Sequence, residues 1–193
     1  MGWENYTKAG RSFDVLIQEQ EADCGLCCVA MIVNQKGQGK PSSSMVKNLI
    51  GKQNYQPSTK DRAWAAPSIL TLTVTPTETH SSGTYLKSLQ DALNTYGVKS
   101  TYCGPHANIQ GAIKNATADQ PIIAHVTWNS GAGHWVVITH SQGNSHYVLD
   151  PYYGLQINSD TTLYQGVEQG GTGPGSVQVA TYGHWTGEWL KIS

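Results

Sequence analysis

The stretch Gln18 to Ile32, QEQEADCGLCCVAMI, sets three cysteines within five positions, behind an acidic, glutamine-bearing lead-in and ahead of an apolar run. Asp23 is a good helix N-cap, and Leu26, Val29, Ala30, Ile32 and Val33 follow on one apolar face, so a helix should start here and end near NQKGQGK. Three chemistries compete for the cysteines. Structural zinc sites draw paired ligands from two knuckles, but Cys103 stands alone, and on a helix Cys27 diverges from the face shared by Cys24 and Cys28. A redox dithiol could use CGLC at a helix N-terminus, yet thioredoxin-like domains set that motif after a strand, and here Glu19, Glu21 and Asp23 oppose thiolate formation. The third reading takes Cys24 as a lone nucleophile. At the first helical turn, with Asp23 as cap and the small Gly25 beside it, its thiolate would be favoured by free backbone N–H groups that can also hold an oxyanion.

Such a thiol needs a base, and the base needs an orienting group. His134 in GAGHWVVITH opens a strand directly after a glycine turn and can project from a sheet edge, whereas His140 closes that strand. Asp150, in YVLDPYYG, ends the following strand. The start of one strand of an antiparallel hairpin lies beside the end of the next, so His134 and Asp150 become neighbours, with the carboxylate able to accept the second imidazole N–H.

Around this constellation the chain reads as α+β. GTYLKSLQDALNTYG predicts a helix closed by Gly97, followed by a short strand over 98–102, and HANIQGAIKNAT predicts a second short helix on Ile109, Ala112, Ile113 and Ala116. QPIIAHVTW (120–128), GHWVVITH (133–140) and HYVLDPY (146–152) predict a sheet, the last two joined as a hairpin through SQGNS. LQINSD, the glycine-rich loop QGGTGPG, and then SVQVATYG and EWLKIS as separate late strands complete it. Residues 52–83, rich in Pro, Ser and Thr around one strand-like run SILTLTV, read as an insertion into a single domain spanning 1–193. A helix-rich first half and a sheet-rich second half imply a cleft where they meet.

Bulk properties set the surroundings. A net charge of −1 with 13% charged residues leaves no electrostatic footprint for nucleic acid or an anionic membrane. No window approaches the roughly 18 apolar residues of a membrane span, and MGWENYTKAGRSFD lacks the apolar stretch of a signal peptide. The expectation is cytoplasmic synthesis, with any secretion through a specialised export system. Four cysteines in 193 residues, three of them clustered, form no disulfide framework and read as free thiols. Neither metal nor organic cofactor is implied.

The pattern Q-x-x-x-x-D-C-G-x-x-C at Gln18, Asp23, Cys24, Gly25 and Cys27, followed by VAMI, GHWVVI and LDPYYG, resembles the bacteriocin-processing peptidases that trim double-glycine leader peptides, a branch of the papain-like cysteine proteases. The matching blocks touch about a fifth of the chain. The resemblance implies a papain-like fold, an N-terminal nucleophile helix packed on an antiparallel sheet, and cleavage of peptide bonds in a peptide or protein substrate. It implies Cys24 as nucleophile, His134 as general base and acid, Asp150 as orienting acid, and Gln18, chosen over Gln20 by the family spacing, as an oxyanion donor beside the Cys24 N–H. Family members usually precede a transporter in one polypeptide, and the longer separation of Cys24 from His134 here suggests a different substrate. Secreted bacterial effector and toxin proteases of this class are similar in arrangement, and an immunity or inhibitor protein is a candidate partner that the sequence leaves open. The same machinery also serves protein deamidation or transpeptidation, and a papain-like binding module without turnover is the remaining alternative.

The other candidates have ordinary readings. Cys27, Cys28 and Cys103 read as small buried hydrophobes. His125, His140, His146 and His184 read as strand or loop residues, His80 and His106 as loop residues, and Trp128, Trp135, Trp185 and Trp189 as core or sheet-face residues of which one or two line the cleft.

Overall fold

The computed structural model describes residues 2–19, 23–52, 84–104, 107–128, 133–169 and 178–193. All but the first residue of the expected insertion over 52–83, with its SILTLTV strand and His80, together with His106 and nearly all of the glycine-rich loop, therefore lie outside the described residues; Lys52 itself ends a helix.

The chain opens with a hairpin that the sequence expectations did not contain. β1 (Trp3–Lys8) pairs antiparallel with β2 (Arg11–Leu16), closing at Lys8↔Arg11. Ala9 and Gly10 take φ of 50° and 72°, the positive pair that a two-residue primed turn requires. Asn-Gly would have announced this turn; Ala-Gly does not.

α1 (Cys24–Gln35) begins where the sequence places it, and Cys24 to Val33 are all buried. Its end is a Schellman motif, with Gly37 at φ 72°, the Gly37 N–H on Asn34 O and the Gln38 N–H on Val33 O. One expectation fails at its start. Asp23 occupies the N-cap position but makes no side-chain cap bond, because its ψ of 1° is not the extended geometry that aims a capping oxygen at the first-turn N–H groups. Those donors are therefore left unclaimed by the cap.

α2 (Ser43–Lys52) was not expected either; it buries Val46 and Ile50, too short an apolar repeat to stand out in a polar run. α3 (Leu86–Thr95) buries Leu86, Leu89, Ala92 and Leu93, and Gly97 at φ 74° turns the chain into β3 (Ser100–Cys103). α4 (Ile109–Lys114) is capped by Asn108, whose side chain accepts from the Gly111 N–H at 2.8 Å.

β4 (Ile122–Thr127), β5 (Gly133–Gln142), β6 (Ser145–Asp150), β7 (Gly154–Asn158), β8 (Leu163–Gln169) and β9 (Gln178–Ile192) complete the main sheet. All pairings are antiparallel, in the order β3-β9-β4-β5-β6-β7, with β8 beside the first half of β9. The segments SVQVATYG and EWLKIS are one strand, not two. The glycine that suggests a break allows close approach instead: a Cβ at Gly183 would lie 2.1 Å from Val126 Cγ1, and β4 absorbs the crossing through a register shift between Ala124 and Val126. β8 was also unforeseen.

Both faces of the sheet are covered. In β5, Trp135 and Val137 join the cluster built on α1, α2 and α3, while Val136 and Ile138 join a second cluster with Ile113 of α4, Val126, Trp128, Val148 and Tyr164. This explains why GHWVVITH reads as a continuous apolar run rather than an alternating one. The result is an α+β fold whose buried N-terminal helix packs on an antiparallel sheet.

Candidate active site

Cys24 is the first residue of α1 and is 6% exposed. Backbone bonding inside the helix starts with the Cys27 N–H on Asp23 O, so the N–H groups of Cys24, Gly25 and Leu26 precede the ladder. Gly25 is needed for space. A Cβ there would lie 2.8 Å from Thr84 Cβ and 2.9 Å from Leu89 Cδ2, and Thr84 is itself tethered by Trp135, whose Nε1 donates to Thr84 O at 2.9 Å. The head of α1 is thus pressed onto both α3 and the sheet.

His134 and Asp150 meet as the hairpin argument requires. The register Val137↔Leu149, carried one step further, sets Asp150 level with Val136, diagonal to His134 on the same face. His134 Nε2 lies 2.9 Å from Asp150 Oδ1, and the Cys24 thiol is close enough to the ring to act on its charge. With Nε2 given to the carboxylate, Nδ1 is the nitrogen left for the thiol. All three side chains are buried, Asp150 completely.

Charge follows from these contacts. Burial opposes the His134 cation, but the Asp150 carboxylate and its hydrogen bond, with Cys24 adding to them, outweigh that and raise the imidazole well above its ordinary value. For Asp150, burial likewise opposes the charge, and His134, the Tyr164 hydroxyl and the Tyr152 N–H overcome it to hold the carboxyl below the usual range. Neighbouring thiols differ. Cys27 and Cys28 are fully buried and pushed upward, chiefly by burial, which leaves them as core residues rather than partners in a dithiol. Cys103 is only partly buried, so the expectation of a buried residue fails there; its strand lies at the sheet margin on β9.

Gln18 is buried just past the end of β2, and its N–H donates to Pro151 O at 2.7 Å, which fixes it beside the residue that follows Asp150. Asp150 and His134 are thus joined directly, with Cys24 beside the imidazole and the Gln18 backbone beside Pro151. Two aromatic neighbours complete the surroundings. Trp128 stacks on His134 with ring centroids 5.9 Å apart, so it does face the site, and Tyr164 donates its hydroxyl to Asp150 Oδ2. Nothing in SDTTLYQG marked Tyr164, since its contact arises from β8 folding beside β9.

Two further histidines take structural places. His125 is buried in β4 against Gly133 and Trp135, and burial, with His134 nearby, depresses it to about 3. His146 Nδ1 pairs with Ser141 Oγ at 2.8 Å, and that hydroxyl donates on to Ile113 O.

Residues 74–166, 93 of the 193, match the family model described as the Peptidase C39 family, a span that includes His134, Asp150 and Tyr164 but not Cys24 or Gln18. No curated protein sequence matches significantly. Among solved structures, the chain is similar to a double glycine motif protease from an AMS/PCAT transporter in complex with the leader peptide, at 17% identity over 92% of this chain and 89% of that one, with a TM-score of 0.50. It is also similar to the peptidase domain of Streptococcus ComA, a bi-functional ABC transporter of a quorum sensing pathway, at 15% identity over 93% and 96% of the two chains, with a TM-score of 0.54. The chain therefore has the papain-like α+β fold of these peptidase domains, and its central span is similar to the Peptidase C39 family.

Proposed function

We propose that this protein is a cysteine peptidase acting through Cys24, His134, Asp150 and Gln18. The observation that carries the reading is the buried imidazole of His134, held at 2.9 Å by Asp150 and close enough to the Cys24 thiol to feel its charge. The Cys24 sulfur attacks the substrate carbonyl, and the oxyanion takes the Cys24 N–H and the Gln18 side-chain amide. His134 gives the thiol proton to the leaving amine as the C–N bond breaks, leaving a thioester. It then takes a proton from water, which attacks the thioester and releases the acid. Asp150 keeps the ring oriented throughout and stabilises its cationic form. The substrate class proposed is a peptide with a double-glycine leader, by likeness to the protease solved with its leader peptide.

Mass spectrometry of a synthetic double-glycine leader peptide treated with the protein tests this. New termini after the second glycine, absent with Cys24→Ala, are the expected result. A gain of about one dalton without cleavage would turn the reading to glutamine deamidation, and a ligated product to transpeptidation. An unchanged peptide pool would remove it.

A further inference from the structure

Asp150 is completely buried, so each of its oxygens must find its donors inside the protein. Oδ1 accepts from His134 Nε2 at 2.9 Å and from the Tyr152 N–H at 2.7 Å. Oδ2 accepts from the hydroxyl of Tyr164. Tyr164 is also completely buried, and β8 holds it through the pairing Tyr164↔Gly183 with β9. Its ring is gripped from two sides, 5.8 Å from Trp128 and 5.5 Å from Trp185 in tilted contacts, and Trp128 in turn stacks on His134. A phenol so confined has one direction in which to offer its proton.

We infer that Tyr164 is a positioning residue for the His134–Asp150 pair: by donating to Oδ2 it stops the carboxylate from rotating and keeps Oδ1 on the imidazole. This rests on the reading of Cys24, His134 and Asp150 as catalytic. Tyr164 touches neither the sulfur nor the imidazole nitrogens, so it acts through Asp150. Burial and the adjacent carboxylate push its own hydroxyl well above the ordinary value, so it stays a donor wherever Asp150 is charged. Without that hydroxyl only the bonds to Oδ1 hold the carboxylate, Oδ2 is left without its donor, and the anion is less stabilised.

Tyr164→Phe keeps the ring between the two tryptophans and removes the donor alone. The pH profile of Cys24 alkylation by iodoacetamide needs no peptide substrate, and it reads the thiol and imidazole pair directly. In Tyr164→Phe the acid limb of that profile should move up by about one pH unit, the scale of one lost hydrogen bond to a charged group. With the leader peptide, kcat per alkylatable Cys24 should fall about tenfold while KM stays near its wild-type value, because no substrate contact is removed. A simple loss of folded protein would instead open the buried Cys27 and Cys28 to alkylation and leave the acid limb of the folded fraction in place. Wild-type and variant profiles that coincide would overturn the role of Tyr164. A wild-type Cys24 no more reactive than Cys103 would overturn the catalytic reading, and this inference with it.

Discussion

Cys24 stands where the helix ladder has not yet begun, and the Asp23 side chain does not take the first-turn donors. In the proposed mechanism two donors share the oxyanion, and their loss is felt in the transition state more than in the bound peptide. Gln18→Ala should therefore lower kcat about 100-fold with little change in KM, as measured on the leader peptide at constant pH. The same reasoning separates the four thiols. Cys27 and Cys28 have no exposed surface and are raised by burial, whereas Cys24 lies beside the His134 imidazole. Peptide mapping after brief treatment with iodoacetamide below neutral pH should find the label on Cys24 first.

At the level of elements, the site depends on how closely the head of α1 meets α3 and β5. Gly25 is the contact point, and the atom an added Cβ would meet at 2.8 Å is the Cβ of Thr84, which cannot swing aside as a side-chain tip would. Gly25→Ala should cost about 1–3 kcal/mol, read from urea unfolding, and should lower activity as the helix start shifts from His134. Local signals identified the elements that carry their own punctuation. α1 and α3 both end in glycine at positive φ, and the hairpin of β5 and β6 turns at Gly143, φ 59°. Elements without such marks were missed. The β1–β2 turn uses Ala9 at a φ of 50°, α2 offers one short apolar repeat, and β8 and the continuity of β9 depend on cross-strand partners distant in sequence.

For the whole molecule, the buried pair links stability to pH. His134 is raised from 6.5 to about 10, so its contribution is complete below 6.5 and is lost as the pH climbs toward 10. Asp150 is lowered from 3.8, so its contribution is complete above that value and is lost on acidification. The melting temperature should accordingly be highest between pH 4 and 6.5 and decline progressively above it. In His134→Gln the alkaline decline should be shallower, since that linkage is gone. A scan of melting temperature against pH for the two proteins checks this.

Cys24, His134 and Asp150 could be found without coordinates because each lies at a point where local rules act: a helix start, a strand opening after glycine, the far end of the next strand. Antiparallel pairing then brings two of them together from sixteen residues apart, as the 2.9 Å contact records. No local rule relates the helix to that hairpin, and none connects Tyr164 to Asp150. Those relations come from packing, from Thr84 seated on Gly25 and from β8 laid beside β9, where shape and the need of a buried carboxylate for donors select neighbours that lie far apart along the chain.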